Sequence, residues 1–312
     1  MKKFAPVLCL LPLLYFRASG DEGPARPKIF GIAHMALYVS DLAKARAFWI
    51  DFLGYQECFN LKRKDSDEVR IAFIKINDYQ YIELFAEPPR SPGLMLNHIS
   101  FYTEDAERMR NYLAAKGVKV PAKVGKGQTG NKNYNILDPD GTTVEIVEYQ
   151  PDSWTAREKG KFMPDTRIST HIPHVGVNIG SLSAANGFYH DILGFNEIWR
   201  GGAGKSLSWT NMQVPEGKDY LEFMLHGQTI DVSKNGSKNH ICLGVTDCAR
   251  AVEILKARPA AKNFKMEEMK TGVNRKRQVN LFDADGTRVE LMEADTVDGV
   301  PAPPSNAPPP IK

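Results

Sequence analysis

The first clear pattern in the chain is an alternation of apolar residues with small or polar residues over 30–39, which predicts a β-strand. Asp41 follows as a candidate helix cap, and apolar residues then recur at helical spacing until Gly54. The same succession ends at Gly194 in the second half. The two sets of helical positions are Leu42, Ala45, Phe48, Trp49 and Phe52, and Leu182, Ala185, Phe188, Tyr189 and Ile192. Each half of the chain is therefore predicted to begin with a strand and a helix.

A weaker form of this plan follows within each half. Residues 104–116 predict a helix that Gly117 closes, and residues 247–257 predict a helix that Pro259 ends. Each half then finishes with a tight turn that enters a strand, Asp-Pro-Asp-Gly at 138–141 and Asp-Ala-Asp-Gly at 283–286. The sequence therefore predicts four strand–helix–strands modules, grouped as two domains.

The predicted domains cover residues 30–150 and 170–295. Residues 151–169 carry charges and prolines without a clear period, which is typical of an interdomain linker, and the proline-rich residues 296–312 favour disorder. At 1–20, two lysines precede an apolar run and small residues, which indicates a signal peptide. The run is too short to cross a bilayer. We therefore expect an exported protein, periplasmic or extracellular, with no stable membrane span after cleavage.

Composition narrows the range of partners. The formal net charge is only +3 and the chain has no basic block, which disfavours nucleic acid as a partner. Cys58, Cys242 and Cys248 lie outside the predicted signal peptide and are too few for a disulfide framework. Cys242 and Cys248 either pair or remain buried thiols. The expected partner is a small-molecule substrate, bound by a monomer or a homodimer.

Four residues with metal-binding side chains occur twice in the same order. The first series is His34, Glu83, His98 and Glu145, at intervals of 49, 15 and 47 residues. The second series is His174, Glu222, His240 and Glu290, at intervals of 48, 18 and 50 residues. Because the chain has only 7 histidines, the agreement of the two series indicates a shared role.

Strand alternation predicts where these side chains point. Each glutamate lies between two apolar residues, as Glu145 does between Val144 and Ile146, so the carboxylates and their neighbours face opposite sides of a sheet. If the apolar faces pack on the helices, the candidates line a concave face. A sheltered carboxylate is unstable unless it is paired or metal-bound. One strand histidine or glutamate alone is usually structural, but the repeated set predicts a divalent metal ion.

These motifs resemble those of the vicinal oxygen chelate superfamily, also called the glyoxalase, bleomycin-resistance and extradiol-dioxygenase group. The resemblance covers residues of about 30–149 and 170–294. It rests on H-M-A-L-Y-V-S-D-L and H-V-G-V-N-I-G-S-L, on F-L-G-Y and I-L-G-F, on N-H-I at Asn97 and Asn239, and on the D-P-D-G and D-A-D-G turns. It implies an α+β fold in which four βαβββ modules pair into two open barrels around a divalent metal.

The resemblance also implies metal ligands at all eight positions of the two series. Two imidazoles and two carboxylates suit Zn, Ni, Co, Mn or Fe(II). Modules of this family pair within a domain or exchange between copies. The alternatives are His34 and Glu83 with His98 and Glu145, or the same pair with His240 and Glu290. By likeness to glyoxalase I, Glu145 and Glu290 are the catalytic candidates that move a proton beside a substrate carbonyl.

Two specific members of the family match incompletely. Glyoxalase I commonly has a glutathione-holding arginine where this chain has Tyr38 and Asn178, and an asparagine where it has Glu87 and His226. Extradiol dioxygenases have a tyrosine where this chain has Asn135 and Asn280. We therefore expect a glyoxalase-like lyase or isomerase that acts by metal-assisted proton transfer on a small oxygen-rich molecule. An Fe(II) extradiol-type dioxygenase and a protein that sequesters a small molecule, as in bleomycin resistance, are the alternatives.

Overall fold

The computed structural model describes residues 23–89, 93–202, 204–225, 238–303 and 305. The predicted signal peptide at 1–20, His226 and most of the predicted tail after residue 303 lie outside the described residues. Among the described residues, no helix has the length and apolar character needed to span a membrane.

The first half of the chain forms one mixed, curled sheet of eight strands. They are β1 (Ile29–Tyr38), β2 (Gln56–Lys62), β3 (Val69–Lys75), β4 (Tyr81–Phe85), β5 (Leu96–Thr103), β6 (Gly125–Lys126), β7 (Lys132–Leu137) and β8 (Thr143–Glu148). Their order across the sheet is β2-β3-β4-β1-β5-β8-β7-β6. The central strands β1 and β5 are antiparallel to each other, and each is parallel to the last strand of its own module.

The second half repeats this sheet. Its strands are β9 (His174–Asn178), β10 (Asn196–Gly201), β11 (Trp209–Gln213), β12 (Tyr220–Met224), β13 (His240–Val245), β14 (Lys265–Met266), β15 (Lys270–Thr271), β16 (Lys276–Phe282) and β17 (Arg288–Thr296). The order is β10-β11-β12-β9-β13-β17-β16-β14, and β15 pairs with β16 beside β14. The predicted α+β fold of four βαβββ modules in two curled sheets is confirmed.

A short helix follows the first strand of each module, and one further helix, α3, lies between the two halves. The helices are α1 (Leu42–Arg46), α2 (Ala106–Ala115), α3 (Trp154–Arg157), α4 (Leu182–Asn186) and α5 (Cys248–Lys256). Asp41 caps α1 as predicted, because its side chain accepts hydrogen bonds from the amides of Ala43 and Lys44. Both α1 and α4 continue as π-helical turns, Ala47–Phe52 and Gly187–Ile192, and a 3₁₀ turn covers Pro259–Asn263.

A continuous cluster of buried residues packs the two halves against each other. Phe48 in the first half contacts Phe264 in the second, with ring centroids 5.1 Å apart. Phe101 contacts Phe195 in the same way at 5.2 Å. The apolar outer faces of the sheets therefore meet helices from both halves, which leaves the opposite, concave faces free to form cavities.

The acidic turns at the end of each half also contact the other half. Asp140 accepts a hydrogen bond from the Gly180 amide at 3.0 Å, and Asp285 accepts one from the Ser40 amide at 3.0 Å and one from the Ser40 hydroxyl. Ser40 and Gly180 both follow the first strand of their half. The duplication is therefore also reflected in how the halves dock, by two reciprocal contacts.

Residues 151–169 lie along the first sheet. Trp154, 5 % exposed, packs against Phe59, Phe73 and Tyr81, with ring centroids 4.7 to 5.7 Å apart. The buried ammonium group of Lys75 donates to the Glu158 carbonyl. This segment therefore covers one end of the first sheet besides connecting the halves. Cys58, Cys242 and Cys248 are free thiols.

Candidate metal centre

The first four candidates come together on the concave face of the first sheet; we call them the first cluster. His34 Nε2 lies 2.9 Å from His98 Nε2, 3.0 Å from Glu145 Oε2 and 3.5 Å from Glu83 Oε1. His98 Nε2 lies 3.8 Å from Glu83 and 4.0 Å from Glu145. The structure therefore assembles this cluster from the two modules of one sheet and not by exchange with the second half.

Strand register explains the convergence. Ala36 on β1 lies opposite Glu83 on β4 and opposite His98 on β5, so these residues point to the same face. Ser100 lies opposite both His34 and Glu145 in the same way. The small side chain of Ala36 leaves space between the larger ones, and four different strands deliver one ligand candidate each.

The neighbours of the first cluster orient its side chains for metal binding. His98 Nδ1 donates to Asn97 Oδ1 at 2.9 Å, which leaves Nε2 with its lone pair directed into the cluster. Glu145 accepts hydrogen bonds from the Ser100 hydroxyl at 2.8 Å and from the Asn133 amide at 2.6 Å. Each of these partners fixes a ring or carboxylate in a position that it would keep as a ligand.

The two carboxyl groups of the first cluster have different pKa values because their surroundings differ. Burial raises the pKa of Glu83 to about 7, opposed by His34 and reinforced by the charge of Glu145. Burial also acts on Glu145, but the imidazoles of His34 and His98 and the Ser100 hydrogen bond together hold its pKa well below the usual range. Burial lowers the pKa of His34, whereas Glu83 and Glu145 outweigh it and raise the pKa overall. Without an ion, Glu83 and His34 therefore retain protons near neutral pH that a metal cation would replace.

The donor set and spacing of the first cluster fit a divalent ion. Ligand atoms of His34, Glu83 and His98 all lie within 4.8 Å of one another. Bonds of about 2.0–2.2 Å place neighbouring ligand atoms about 2.8–3.6 Å apart, from octahedral to tetrahedral geometry, and the distances from His34 to His98, Glu145 and Glu83 lie within this range. All four side chains are at most 13 % exposed.

A cavity of about 620 Å³ opens above the first cluster. Its polar wall contains Asn131, Asn133 and Asn135, and its apolar lining is Phe73, Tyr81, Phe85 and Trp154. Asn133 and Trp154 were missed by the sequence analysis. Asn133 lies on a strand just before the acidic turn, and the alternation of that strand could have placed it on the cavity face. Trp154 lies in the predicted linker, where no sequence pattern indicates a role at the cavity.

The second four candidates also converge, and we call them the second cluster. His174 Nε2 lies 3.2 Å from His240 Nε2 and 3.3 Å from Glu290, and His240 Nε2 lies 3.5 Å from Glu222. Cys242 takes the place of Ser100, and its thiol can form a three-ligand set with His174 and Glu290. The cavity beside this cluster measures about 220 Å³.

The second cluster differs from the first in the contacts behind its imidazoles. The guanidinium of Arg288 contacts His240 Nδ1, where the first cluster has Asn97. Burial, followed by the charges of Arg288 and His174, lowers the pKa of His240 well below its usual range. Both imidazoles of the second cluster are fully buried. The two clusters therefore share residue types but not surroundings.

Comparison with known proteins agrees with this geometry. The family model described as the Glyoxalase/Bleomycin resistance protein/Dioxygenase superfamily matches residues 31–146 and 171–291. Among curated proteins, YwkD of Bacillus subtilis (strain 168) is 27 % identical over 123 residues, which are 38 % of this chain and 95 % of YwkD. The two segments matched by the family model cover both halves, and each includes one complete cluster.

Two solved structures illustrate the likeness of the fold. The Mn(II)-bound glyoxalase from Novosphingobium aromaticivorans has a TM-score of 0.64 and 15 % identity, covering 86 % of this chain and 83 % of that protein. The 2,3-dioxygenase LapB from Pseudomonas sp. KL28 has a TM-score of 0.66 and 14 % identity, covering 92 % of this chain and 98 % of that protein. At this identity the likeness establishes the arrangement of modules alone.

Proposed function

Because the chain belongs to the glyoxalase/bleomycin resistance protein/dioxygenase superfamily, we propose that it is a metal-dependent enzyme that transfers a proton on a small oxygen-rich molecule. The observation that carries this proposal is the first cluster, in which two imidazoles and two carboxylates from four strands meet beside a cavity of about 620 Å³. Related proteins described as an Mn(II)-bound glyoxalase and a dioxygenase support the class of enzyme.

His34, Glu83, His98 and Glu145 would hold the metal, which would polarise a substrate oxygen as a Lewis acid. Glu145 Oε2 is occupied by Ser100 and His34, whereas Oε1 faces Asn133, which lines the cavity. We therefore assign Glu145 Oε1 as the atom that takes the proton from a carbon beside the substrate carbonyl. Asn133 keeps this oxygen directed at the cavity and is a positioning residue.

The cavity supports a small substrate with several oxygens. The amides of Asn131, Asn133 and Asn135 can bind hydroxyl and carbonyl groups, and the aromatic lining can cover a short carbon skeleton. Tyr38 and Glu87 also line this cavity, at positions where glyoxalase I commonly carries arginine and asparagine. We therefore expect weak or no turnover of a glutathione hemithioacetal.

A second candidate is an Fe(II) dioxygenase. His34, His98 and Glu83 form a set of two histidines and one carboxylate, and this combination suits non-haem Fe(II) oxygenases. Asn135 lies in the cavity wall where the extradiol pattern has a tyrosine, which is why proton transfer is our first proposal.

The test is hydrogen exchange at carbon in D₂O. The full chain is loaded with Zn²⁺, Mn²⁺ or Fe²⁺, and a panel of keto, hydroxy and catecholic compounds is followed by NMR for loss of C–H signals beside a carbonyl. We expect exchange with the wild-type protein. With Glu145→Gln the exchange rate should fall by about 100-fold or more, because a general base commonly contributes that much to the rate.

One control variant and two contrary outcomes complete the test. Glu290→Gln, the matched change in the second cluster, should leave the exchange rate unchanged. Oxygen uptake on catechols by the iron-loaded protein, without carbon exchange, would favour the dioxygenase instead. Tight binding of a panel compound by wild-type protein that holds no metal would contradict the enzyme proposal and favour sequestration.

We also propose that the protein is exported, because the segment at 1–20 has the charge and apolar pattern of a signal peptide. Expression of the full chain, followed by cell fractionation and mass determination, tests this proposal. A mature protein that begins near residue 21 outside the cytosol would support it, and full-length protein in the cytosol would contradict it.

A further inference from the structure

We infer that only the first cluster binds a divalent metal ion and that Arg288 keeps the second cluster free of metal. This inference rests on the proposed function for the first cluster. It departs from the sequence analysis, which assigned a ligand role to all eight residues. The two clusters differ in three ways: the contact behind one imidazole, the local charge, and the space around the rings.

The contact behind the imidazole sets which ring nitrogen can bind a metal. His240 Nε2 faces the second cluster and needs its lone pair to act as a ligand, so the ring proton must lie on Nδ1. At Nδ1, however, the ring meets both the Lys238 carbonyl, at 3.1 Å, and the Arg288 guanidinium. A guanidinium only donates hydrogen bonds. The Nδ1–H of the ligating form can donate to the Lys238 carbonyl, but it would also be held against an N–H of the Arg288 guanidinium, which opposes this form.

The first cluster has an acceptor at the same ring nitrogen but no guanidinium beside it. His98 Nδ1 faces Asn97 Oδ1, an acceptor, and the residue equivalent to Arg288 is Thr143, two positions before the last glutamate. A neutral, short side chain at this position leaves the imidazole free to keep its proton on Nδ1. Metal-binding histidines commonly require such an acceptor behind the ring.

Charge acts in the same direction. Arg288 lines the second cavity together with Glu222 and Glu290, so its permanent positive charge lies beside the two carboxylates. The guanidinium therefore balances part of the negative charge that a metal would otherwise balance, and it would repel an incoming divalent ion.

The second cluster also has less space. His240 lies directly over Gly176, where even a Cβ atom would collide with the ring, whereas Ala36 occupies this position in the first sheet. His174 stacks on Tyr220, with ring centroids 4.7 Å apart. Such tightly packed rings fit a structural cluster better than a site that must accept an ion.

The experiment measures metal content of the full chain by mass spectrometry after equilibration with Zn²⁺ or Mn²⁺ and removal of free ion. We expect one ion per wild-type chain. Arg288→Thr, which installs the residue of the first half, should raise the content toward two, because His240 Nδ1 can then donate to the Lys238 carbonyl alone. The reciprocal Thr143→Arg should lower the content toward zero.

Controls separate this inference from the proposed function. Arg250→Thr removes an exposed arginine elsewhere and should leave one ion per chain. His98→Ala should remove the ion from the wild-type background, and His240→Ala should not. Arg288→Gln, checked for an unchanged unfolding temperature, replaces Arg288→Thr if that variant does not fold.

Two outcomes would overturn the inference alone: two ions in the wild-type chain, including one held through the Cys242 thiol, or an ion lost in His240→Ala but kept in His98→Ala. A single ion in folded Arg288→Thr and Arg288→Gln would also overturn the role of Arg288. A wild-type chain without any ion would instead contradict the proposed function.

Discussion

The two carboxyl groups of the first cluster differ in their protonation before a metal binds. Glu83 has a pKa of about 7 without the ion, so below that pH it carries a proton that a metal must displace. The raised pKa of His34 acts in the same direction, since a protonated imidazole is not a ligand. Glu145 is already an anion. Metal affinity therefore depends mainly on Glu83 and His34.

We predict that Zn²⁺ affinity rises with pH through about 7, the pH at which Glu83 loses its proton. Below that pH, the apparent Kd should increase by about tenfold per pH unit for each proton displaced. Competition with a chromophoric chelator at several pH values measures this dependence. Glu83→Gln should bind Zn²⁺ more weakly, and its plot of log Kd against pH should show about one proton fewer displaced. A wild-type affinity that stays constant from pH 6 to 8 would contradict the prediction.

Among the elements, α3 depends most on its surroundings. It has only four residues, too few for an independent helix, and Trp154 anchors it in an aromatic cluster beside the first cavity. The rest of the segment is held by Lys75, which donates to the Glu158 carbonyl, and by Asp78, which accepts a hydrogen bond from the Gly160 amide at 2.8 Å. A segment with no apolar period of its own is therefore ordered by contacts with strands far away in sequence.

We predict that Trp154→Ala lowers the free energy of unfolding by about 3–5 kcal/mol, the usual cost of removing a large buried aromatic side chain. It should also weaken substrate binding, because Trp154 lines the cavity. Urea unfolding followed by circular dichroism measures the first effect. Trp154→Phe, which keeps most of the packing, is the matched control, and a Trp154→Ala protein as stable as wild type would show that the segment is not anchored there.

In the whole molecule, the two halves dock through an apolar core and two reciprocal acidic turns. Asp285 receives hydrogen bonds from both the amide and the hydroxyl of Ser40, whereas Asp140 receives one from the Gly180 amide. Hydrogen bonds to a charged group contribute more than neutral ones. Asp285 should therefore contribute more to docking than Asp140.

We predict that Asp285→Ala lowers the free energy of unfolding by about 1–3 kcal/mol and that Asp140→Ala lowers it less. Asp51→Ala, which changes an exposed carboxylate on the first half, should have little effect. Urea titrations of the three variants give the comparison. Equal stability of Asp285→Ala and the Asp51 control would contradict a docking role for the turn.

Local sequence patterns predicted much of the fold of this protein. Strand alternation placed His34 and Glu83 on the face opposite the apolar core, and helical spacing with a cap at Asp41 located α1, because both signals arise from residues close in sequence. The duplication, read from two series of equal order, indicated four modules and two sheets. The fold and the family were predictable for this reason.

The tertiary structure alone decided which modules share a cluster and what surrounds each imidazole. The partners of His34 lie on strands that pair over long separations, and Arg288 and Thr143 look equally ordinary in the sequence. Their different effects arise from where the side chains end, within contact distance of His240 in one half and with no such charge in the other. Side-chain contacts across strands depend on packing in three dimensions, which no local period specifies.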